Sequence, residues 1–437
     1  MHKDVSRSLF QRSWSVFAGL LTTFSIPVFL TSNQQGYFYT FSSVLAIQIF
    51  FELGLSQVLI YKFASIVSAV GETPPELQRL RLTSLLYVAR RFYIVLSLLF
   101  FIAALIGGYL FLSTSTISGV EWRPQWLCLV LATSVSLAQS VKLVFLESQG
   151  CVADVATFRV KTGLASTILF LLSLVLGAGL WSSVVIPAVN SITSSLWIYK
   201  SSKTDSYRHA RLLDAKITPR QILNIWRLEI FPLQWRTLIS WISGYFIFQL
   251  ITPIAFYRFG PAVAGQLGFA ISAMNSILFL STTFVSSVSP RLSSAFHSMR
   301  LKEFNMLFDA SFKRSIVAVF VLSQLFVLAL YMLSIFSEPY ASRFLPWDQV
   351  LVYSPSMILS AVVYCWAIYL RSQAIEPLVV QSAITALVMA PAIWLSSLIS
   401  VTAMLAAMLV ISLFSAAAVW RIYSVNRASL ARASCGS

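Results

Sequence analysis

The sequence predicts an all-α polytopic membrane protein of about twelve transmembrane helices in two six-helix lobes, with both termini cytoplasmic. Three observations predict it. Of 437 residues, 58% are hydrophobic and only 11% charged, against about a quarter charged in soluble domains, which excludes a water-soluble enzyme and a disordered scaffold. Charge-free runs long enough for a 20-residue span recur along the whole chain. The few charges are lopsided, 31 Lys and Arg against 15 Asp and Glu, and their positions assign a side to every loop.

The spans follow in order. Five runs hold one helix each: 92–120, 124–141 with its flanks, 237–257, 315–337 and 349–370. The runs 13–51, 162–199 and 378–420 are too long for one. The last would reach about 64 Å as a single helix, twice the hydrocarbon thickness. Each carries a turn signal near its middle, SNQQG at 32–36, LGAGLWSS at 176–183 and SSLISV at 396–401, and so reads as two helices. With 259–290 the total is twelve. The first run follows Lys3, Arg7 and Arg12 but is too long, and lacks the small-residue cleavage site, for a secretory signal.

The positive charges then act as a topology test, because short cytoplasmic loops concentrate Lys and Arg. With the N-terminus inside, 27 of them fall on the cytoplasmic side and only Arg123, Arg258 and Arg343 outside, while Lys142 falls within a span. One missed helix would invert every later loop and destroy that split. The net charge of +16 is thus topogenic and gives no reason to expect nucleic acid.

The most polar stretch, 200–227, lies in a basic linker at 200–231 that divides the chain into a lobe at 1–199 and a lobe at 232–437. Six helices per lobe give the halves the same topology, so a repeat axis would lie along the membrane normal. Both halves open with a Trp- and Ser-rich helix carrying a late proline (Pro27, Pro253), then a helix begun by glycine (Gly36, Gly265). In the linker, Thr218 is an N-cap candidate with Pro219 at the first helical position. Arg220, Asn224 and Arg227 share a face opposite Ile222, Ile225 and Trp226, which suits either a helix on the anionic inner leaflet or a connector packed on the bundle.

A charge at membrane depth costs from about 3 to over 10 kcal/mol, so such residues are the functional candidates. Glu52 lies in AIQIFFELGLSQVLIYK, and Gln48, Glu52 and Ser56 recur every fourth residue as one helical stripe. Glu52 is either a proton or Na⁺ site or the structural partner of a cation, with Lys142 on the fourth helix the candidate partner. Lys142 either pairs, faces a cavity or snorkels to the interface; Gln139 and Glu147 lie on its helix. Arg236 opens the seventh span, where Glu229, Pro232, Arg236, Ser240 and Ser243 recur at helical spacing. A guanidinium fork suits phosphate oxygens, which makes Arg236 the leading anion contact, with interfacial anchoring beside Trp235 the alternative. Arg258 stands at the outer mouth. Polar stripes on the eighth helix (Ser272, Asn275, Ser276, Thr283, Ser286) and the first (Ser15, Thr22, Ser25) either line a wet cavity or make tight helix contacts.

Catalytic and metal signatures are missing from the sequence. It holds no GxSxG, P-loop or HExxH, and its three histidines lie in segments expected to be cytoplasmic. Cys128, Cys151, Cys365 and Cys435 form no CxxC or Cys/His spacing, so no disulfide or metal site is expected. The remaining class is a transporter without catalytic residues or cofactor.

The stretch QQGYFYTFSSVLAIQIFFELGLSQVLIYKFAS resembles the first-to-second helix region of bacterial polysaccharide transporters, in which a GxY helix start leads to an ElGls segment. LQWRTLISWISGYFIFQLITPIAFYRFGPAVAGQLGFAISAMN is similar to the start of their second half. Together these cover about 75 residues; the remainder matches in helix count and length. The resemblance is to the O-antigen flippases, within the superfamily that includes multidrug and toxic-compound extruders and lipid II flippases. It implies two six-helix lobes around a central cavity, alternating access, and an oligosaccharide linked to undecaprenyl diphosphate as substrate in the bacterial inner membrane. Cations in the cavity would receive the diphosphate-sugar head while the polyprenyl tail stays in lipid. Arg236, Ser240, Arg258, Asn275, Gln48 and Glu52 fall in the stretches that carry the resemblance, whereas Lys142 is supported by its depth alone. Coupling to an H⁺ or Na⁺ gradient would run through Glu52. Expected partners are the lipid-linked oligosaccharide, membrane lipids, a polysaccharide polymerase and glycosyltransferases, with the transporter itself a monomer. The rivals are a cation-coupled multidrug exporter of the same fold, which calls for acids and aromatics in its cavity, and a non-transporting subunit that docks biosynthetic enzymes.

Overall fold

The computed structural model describes residues 2–52, 54–68, 75–114, 119–148, 152–201, 226–227, 231–373, 375 and 377–435. Among them it contains helices and no strand. The chain divides into two compact units, Met1–Ile242 and Ser243–Ser437. The division falls inside the first helix after the expected linker, of which residues 202–225 lie outside the described ones.

In the first unit α1 (His2–Phe29) is followed by α2 (Ser32–Leu45), α3 (Gln48–Glu52), α4 (Leu55–Ser68), α5 (Pro75–Leu112), α6 (Arg123–Ser148), α7 (Val152–Val175) and α8 (Ser182–Ser201). The SNQQG segment expected as a loop is instead the first turn of α2. Thr31 caps it, and Gln34 returns a hydrogen bond to the Thr31 N–H in a capping box, so two residues suffice to reverse the chain. At 176–183 the expected turn is present, with Gly177 and Gly179 at φ 75° and 57° ahead of a single 3₁₀ turn, Gly179–Trp181. α6 packs against α4, α5 and α8, and α1 against α7.

α9 (Phe231–Phe248) bridges the division. The second unit continues with α10 (Ile251–Phe259), α11 (Pro261–His297), α12 (Leu301–Phe336), α13 (Glu338–Ala341), α14 (Trp347–Arg371), α15 (Val379–Ser396) and α16 (Val401–Cys435). The turn expected at 396–401 lies between α15 and α16. α14 is the hub, packed on α11, α12 and α16. Its core is aromatic at one end, where Phe304, Phe308, Tyr369 and Tyr423 pack together.

Among the described residues, eight helices (α5, α6, α7, α11, α12, α14, α15 and α16) are long and apolar enough to cross a membrane by themselves. The other four expected crossings coincide with α1, α2–α4, α8 and α9–α10, which are more polar or interrupted. Leu172, Leu387 and Phe414 are among many large apolar side chains left exposed. In water such a surface would aggregate; against lipid it is the solvent-facing surface. The chain is a multi-pass membrane protein.

The second crossing departs most from expectation. One continuous helix was expected to carry Gln48, Glu52 and Ser56 as a stripe; three pieces are found. The first interruption is a turn at Ala46–Ile47, and the second places Gly54 at φ 67°. A left-handed residue cannot continue a right-handed helix, and only glycine takes it without a steric cost.

Candidate functional site

Two polar features stand out inside the first unit. The first is a cavity of about 410 Å³ where α1, α7 and α8 meet beside α6. Small residues open it: Gly19 on α1 has nothing within 4 Å of where its Cβ would stand. At Gly163 on α7 a Cβ would stand 3.3 Å from Trp14 Nε1, so glycine lets the indole lie against the helix backbone. Trp14 Nε1 is buried and has no hydrogen-bond partner among the described residues, leaving a donor for an occupant.

Arg159 is the charged residue among those lining the cavity, whose polar lining includes Trp14, Thr22, Thr162, Asn190 and Ser194. Its Nη1 lies 2.7 Å from Glu147 Oε1, with Glu147 the more buried of the two. Glu147 is not part of the lining, so it holds the guanidinium from behind, and a guanidinium has five donors to distribute. The adjacent Phe158 stacks on Trp197 at 4.6 Å and 18°, which fixes that turn of α7. Thr22 Oγ1 donates to the Gly19 carbonyl at 2.9 Å and Ser166 Oγ to that of Gly163 at 3.1 Å. Their hydroxyl protons are thereby used on the backbone and their lone pairs remain as acceptors. The chemistry on offer is a held cation, an indole N–H, an amide and hydroxyls.

The second feature is at the interruption of the second crossing. Glu52, half-buried at the end of α3, accepts a short hydrogen bond from Ser56 Oγ on α4. Ser56 Oγ lies 2.7 Å from Tyr93 Oη on α5, and Tyr93 Oη lies 3.4 Å from the same Glu52 oxygen. Tyr93 is fully buried, and Phe51 meets Phe100 edge-on at 5.5 Å beside it. A single carboxylate oxygen thus receives two hydroxyl groups from two other helices. The expected Gln48–Glu52–Ser56 stripe is corrected to a contact across a helix break, with Gln48 half-buried at the start of α3.

The other sequence candidates are distributed as follows. Lys142 is half-buried on α6, and its neighbour Gln139 donates to Ser195 Oγ at 2.5 Å. Arg236 and Ser240 belong to α9, but their side chains lie outside the described residues. Arg258 ends α10 and is held by aromatic faces, its guanidinium carbon 4.6 Å from the Trp394 ring centroid and 5.7 Å from that of Tyr257. Asn275 is half-buried midway along α11. On that helix Ser276 and Thr283 donate to the carbonyls of Ser272 and Phe279, which is local helix bonding. Cys128 and Cys365 are free thiols, and among the described residues no group of three or more His, Cys, Asp or Glu comes together.

Arg159, Trp14, Asn190 and Tyr93 were missed by sequence reasoning. Arg159 was counted only as topogenic charge; the signal that could have found it was Glu147 twelve residues earlier in the sequence.

No family model and no curated protein matches the sequence. Solved structures do. An inward-facing multidrug resistance transporter of the MATE family, in the MOP superfamily, superposes with a TM-score of 0.67 at 12% identity over 98% of each chain. The lipid II flippase MurJ in an inward closed conformation gives 0.63 at 15% identity over 98% of this chain and 88% of that one. A MOP superfamily transporter from Pyrococcus furiosus, described by a binding pocket of reverse polarity that suggests a different function, gives 0.55 at 12% over 98% and 96%. The chain therefore has the fold shared by these transporters.

Proposed function

We propose that the protein is a flippase that moves an undecaprenyl-diphosphate-linked oligosaccharide across the bacterial inner membrane by alternating access. The observation that carries this reading is the lining of the first-unit cavity. Its charged group is a guanidinium, and its other polar groups are hydroxyls, an amide and an indole N–H, set among apolar residues such as Leu143, Phe158 and Ile186. A cationic drug would need a carboxylate there; the guanidinium, the indole N–H and the Asn190 amide offer donors to a phosphate, while Thr22 and Ser166, whose protons are used on the backbone, offer acceptors to sugar hydroxyls. Arg159 lies about 11 Å along α7 from its first residue, near the end that the positive charges assign to the cytoplasm, where a lipid-linked precursor is made. A neighbour of the same fold is a lipid II flippase, so the fold is compatible with a lipid-linked substrate.

The physical logic is that a charged head cannot cross hydrocarbon unaided, so two helical lobes expose a polar surface to each side in turn. Glu52 supplies a carboxylate for H⁺ or Na⁺ coupling at a helix break, and Arg236, Lys142, Arg258, Ser240 and Asn275 are the further substrate contacts of this reading. Deleting the gene should remove surface polysaccharide while lipid-linked repeat units accumulate on the cytoplasmic leaflet. Complementation with Arg159→Ala should fail at normal protein level, and Arg159→Lys should restore part of the polysaccharide. Intact polysaccharide with increased drug sensitivity would identify a cation-coupled multidrug exporter instead.

A further inference from the structure

The second unit holds a pocket of about 580 Å³ between α12, α14 and α16, which the proposed transport cycle does not use. One wall is a column of aromatic rings. Phe312 and Trp366 stack at 6.3 Å and 13°, and Trp366 and Tyr423 at 5.4 Å and 18°. Trp420 leans on Trp366 at 5.2 Å and keeps 52% of its surface exposed. The other wall is an ion pair: Arg427 Nη1 and Nη2 donate to Asp309 Oδ1 and Oδ2 at 2.8 and 2.6 Å. Both side chains remain accessible, Arg427 at 36% and Asp309 at 51%.

The depth of the pocket is fixed by the sequence. α16 has no charged residue from Val401 to Trp420 and then carries Arg421 and Arg427. α12 has none between Arg314 and Phe336, and α14 none between Asp348 and Arg371. All three helices change from charge-free to charged around this pocket, which puts it at the level of lipid headgroups, where aromatic side chains are at home.

We infer that this pocket binds the headgroup of a zwitterionic phospholipid, one with an ammonium and a phosphate on adjacent atoms of a short linker. The bidentate pair neutralises itself, so the site offers a carboxylate and a guanidinium side by side and no net charge. An anionic headgroup would meet Asp309, and a purely cationic one would meet Arg427. A headgroup with both signs sets its ammonium against Asp309 and the electron-rich faces of Trp420 and Trp366, and its phosphate toward Arg427. This inference requires only that the chain spans a membrane, not that it is a flippase.

The test is native mass spectrometry of the full-length protein purified from an equimolar mixture of phosphatidylethanolamine and phosphatidylglycerol. The wild type should retain the ethanolamine lipid over the glycerol lipid by about three- to tenfold. Trp420→Ala, at a half-exposed position, and Asp309→Asn should each return that ratio to near one without loss of the folded protein. A wild-type ratio near one, an excess of the anionic lipid, or a preference untouched by Trp420→Ala would overturn the assignment. With an equal amount of diglucosyl diacylglycerol added to the same mixture, its retention in place of the ethanolamine lipid would overturn the assignment equally, and would show instead that the aromatic wall stacks on sugars.

Discussion

The second crossing of the first unit and the eighth of the whole chain open alike, each with a glycine as its fifth helical residue, Gly36 and Gly265, yet they fold differently. The first is divided into α2, α3 and α4; its counterpart α11 runs 37 residues without interruption. The difference lies sixteen residues beyond each glycine, where one chain reads Glu52-Leu53-Gly54 and the other Ser281-Thr282-Thr283. In the first unit a glycine in the left-handed region ends α3 and a carboxylate is held by hydroxyls from α4 and α5. In α11 Thr282 and Thr283 donate to carbonyls of their own helix, which satisfies them without any partner helix. The same topological element is thus a joint carrying a charge in one half and a rod in the other. Interrupted helices bring ionisable groups and backbone ends to transport sites, and in this chain that feature lies in the first unit.

Removing the charge should break this comparison most completely. Glu52→Ala is expected to lower transport by about tenfold or more, measured as translocation of fluorescent lipid-linked oligosaccharide in proteoliposomes. Glu52→Gln separates charge from hydrogen bonding, since its carbonyl oxygen still accepts from Ser56 and Tyr93. Retention of a normal pH or Na⁺ dependence in Glu52→Gln would rule Glu52 out as the coupling group and leave it a structural acceptor. Making the joint more like the rod comes next. Gly54→Ala forces a Cβ into the left-handed region at a cost of about 1–2 kcal/mol, or straightens the crossing. Either outcome lowers transport with Glu52 intact, whereas Thr283→Gly in α11 should cost only helix propensity, about 0.5 kcal/mol, and leave transport unchanged.

These features were unequally legible in the sequence. Spans and turns were legible because a membrane forces long apolar runs, and glycine and serine clusters punctuate them; Gly177, Gly179 and the Ser396–Val401 turn lie where the pattern placed them. The Glu52–Ser56 relation was legible because a four-residue spacing survives a one-residue break. The break itself was not, since a lone glycine inside an apolar helical pattern is tolerated as often as it interrupts. Tyr93 is 41 residues from Glu52, and Trp394 lies on a different helix from the Arg258 it holds. Such contacts come from packing, which periodicity does not encode. Arg159 was hidden for another reason: in a chain where most cations mark topology, one that also lines a cavity looks like the rest.

Removing single hydroxyls gives the sharpest form of the comparison with the smallest effects. Tyr93→Phe deletes one of two donors to Glu52 and should cost about 1 kcal/mol of thermal stability in detergent. Ser56→Ala should cost somewhat more, because Ser56 contacts both Glu52 and Tyr93 and its loss leaves a carboxylate oxygen short of its nearest donor. At the matched position Ser281 is 1% exposed, and its Oγ is buried with no hydrogen-bond partner among the described residues. A buried hydroxyl without a partner carries a desolvation cost and returns nothing. Ser281→Ala should therefore be neutral or stabilising by up to about 1 kcal/mol. Opposite signs for the two serines would place polar function in the joint and only packing in the rod. A Ser281→Ala variant as destabilised as Ser56→Ala would instead mean that α11 holds a polar contact of its own and that the two halves are more alike than their helices suggest.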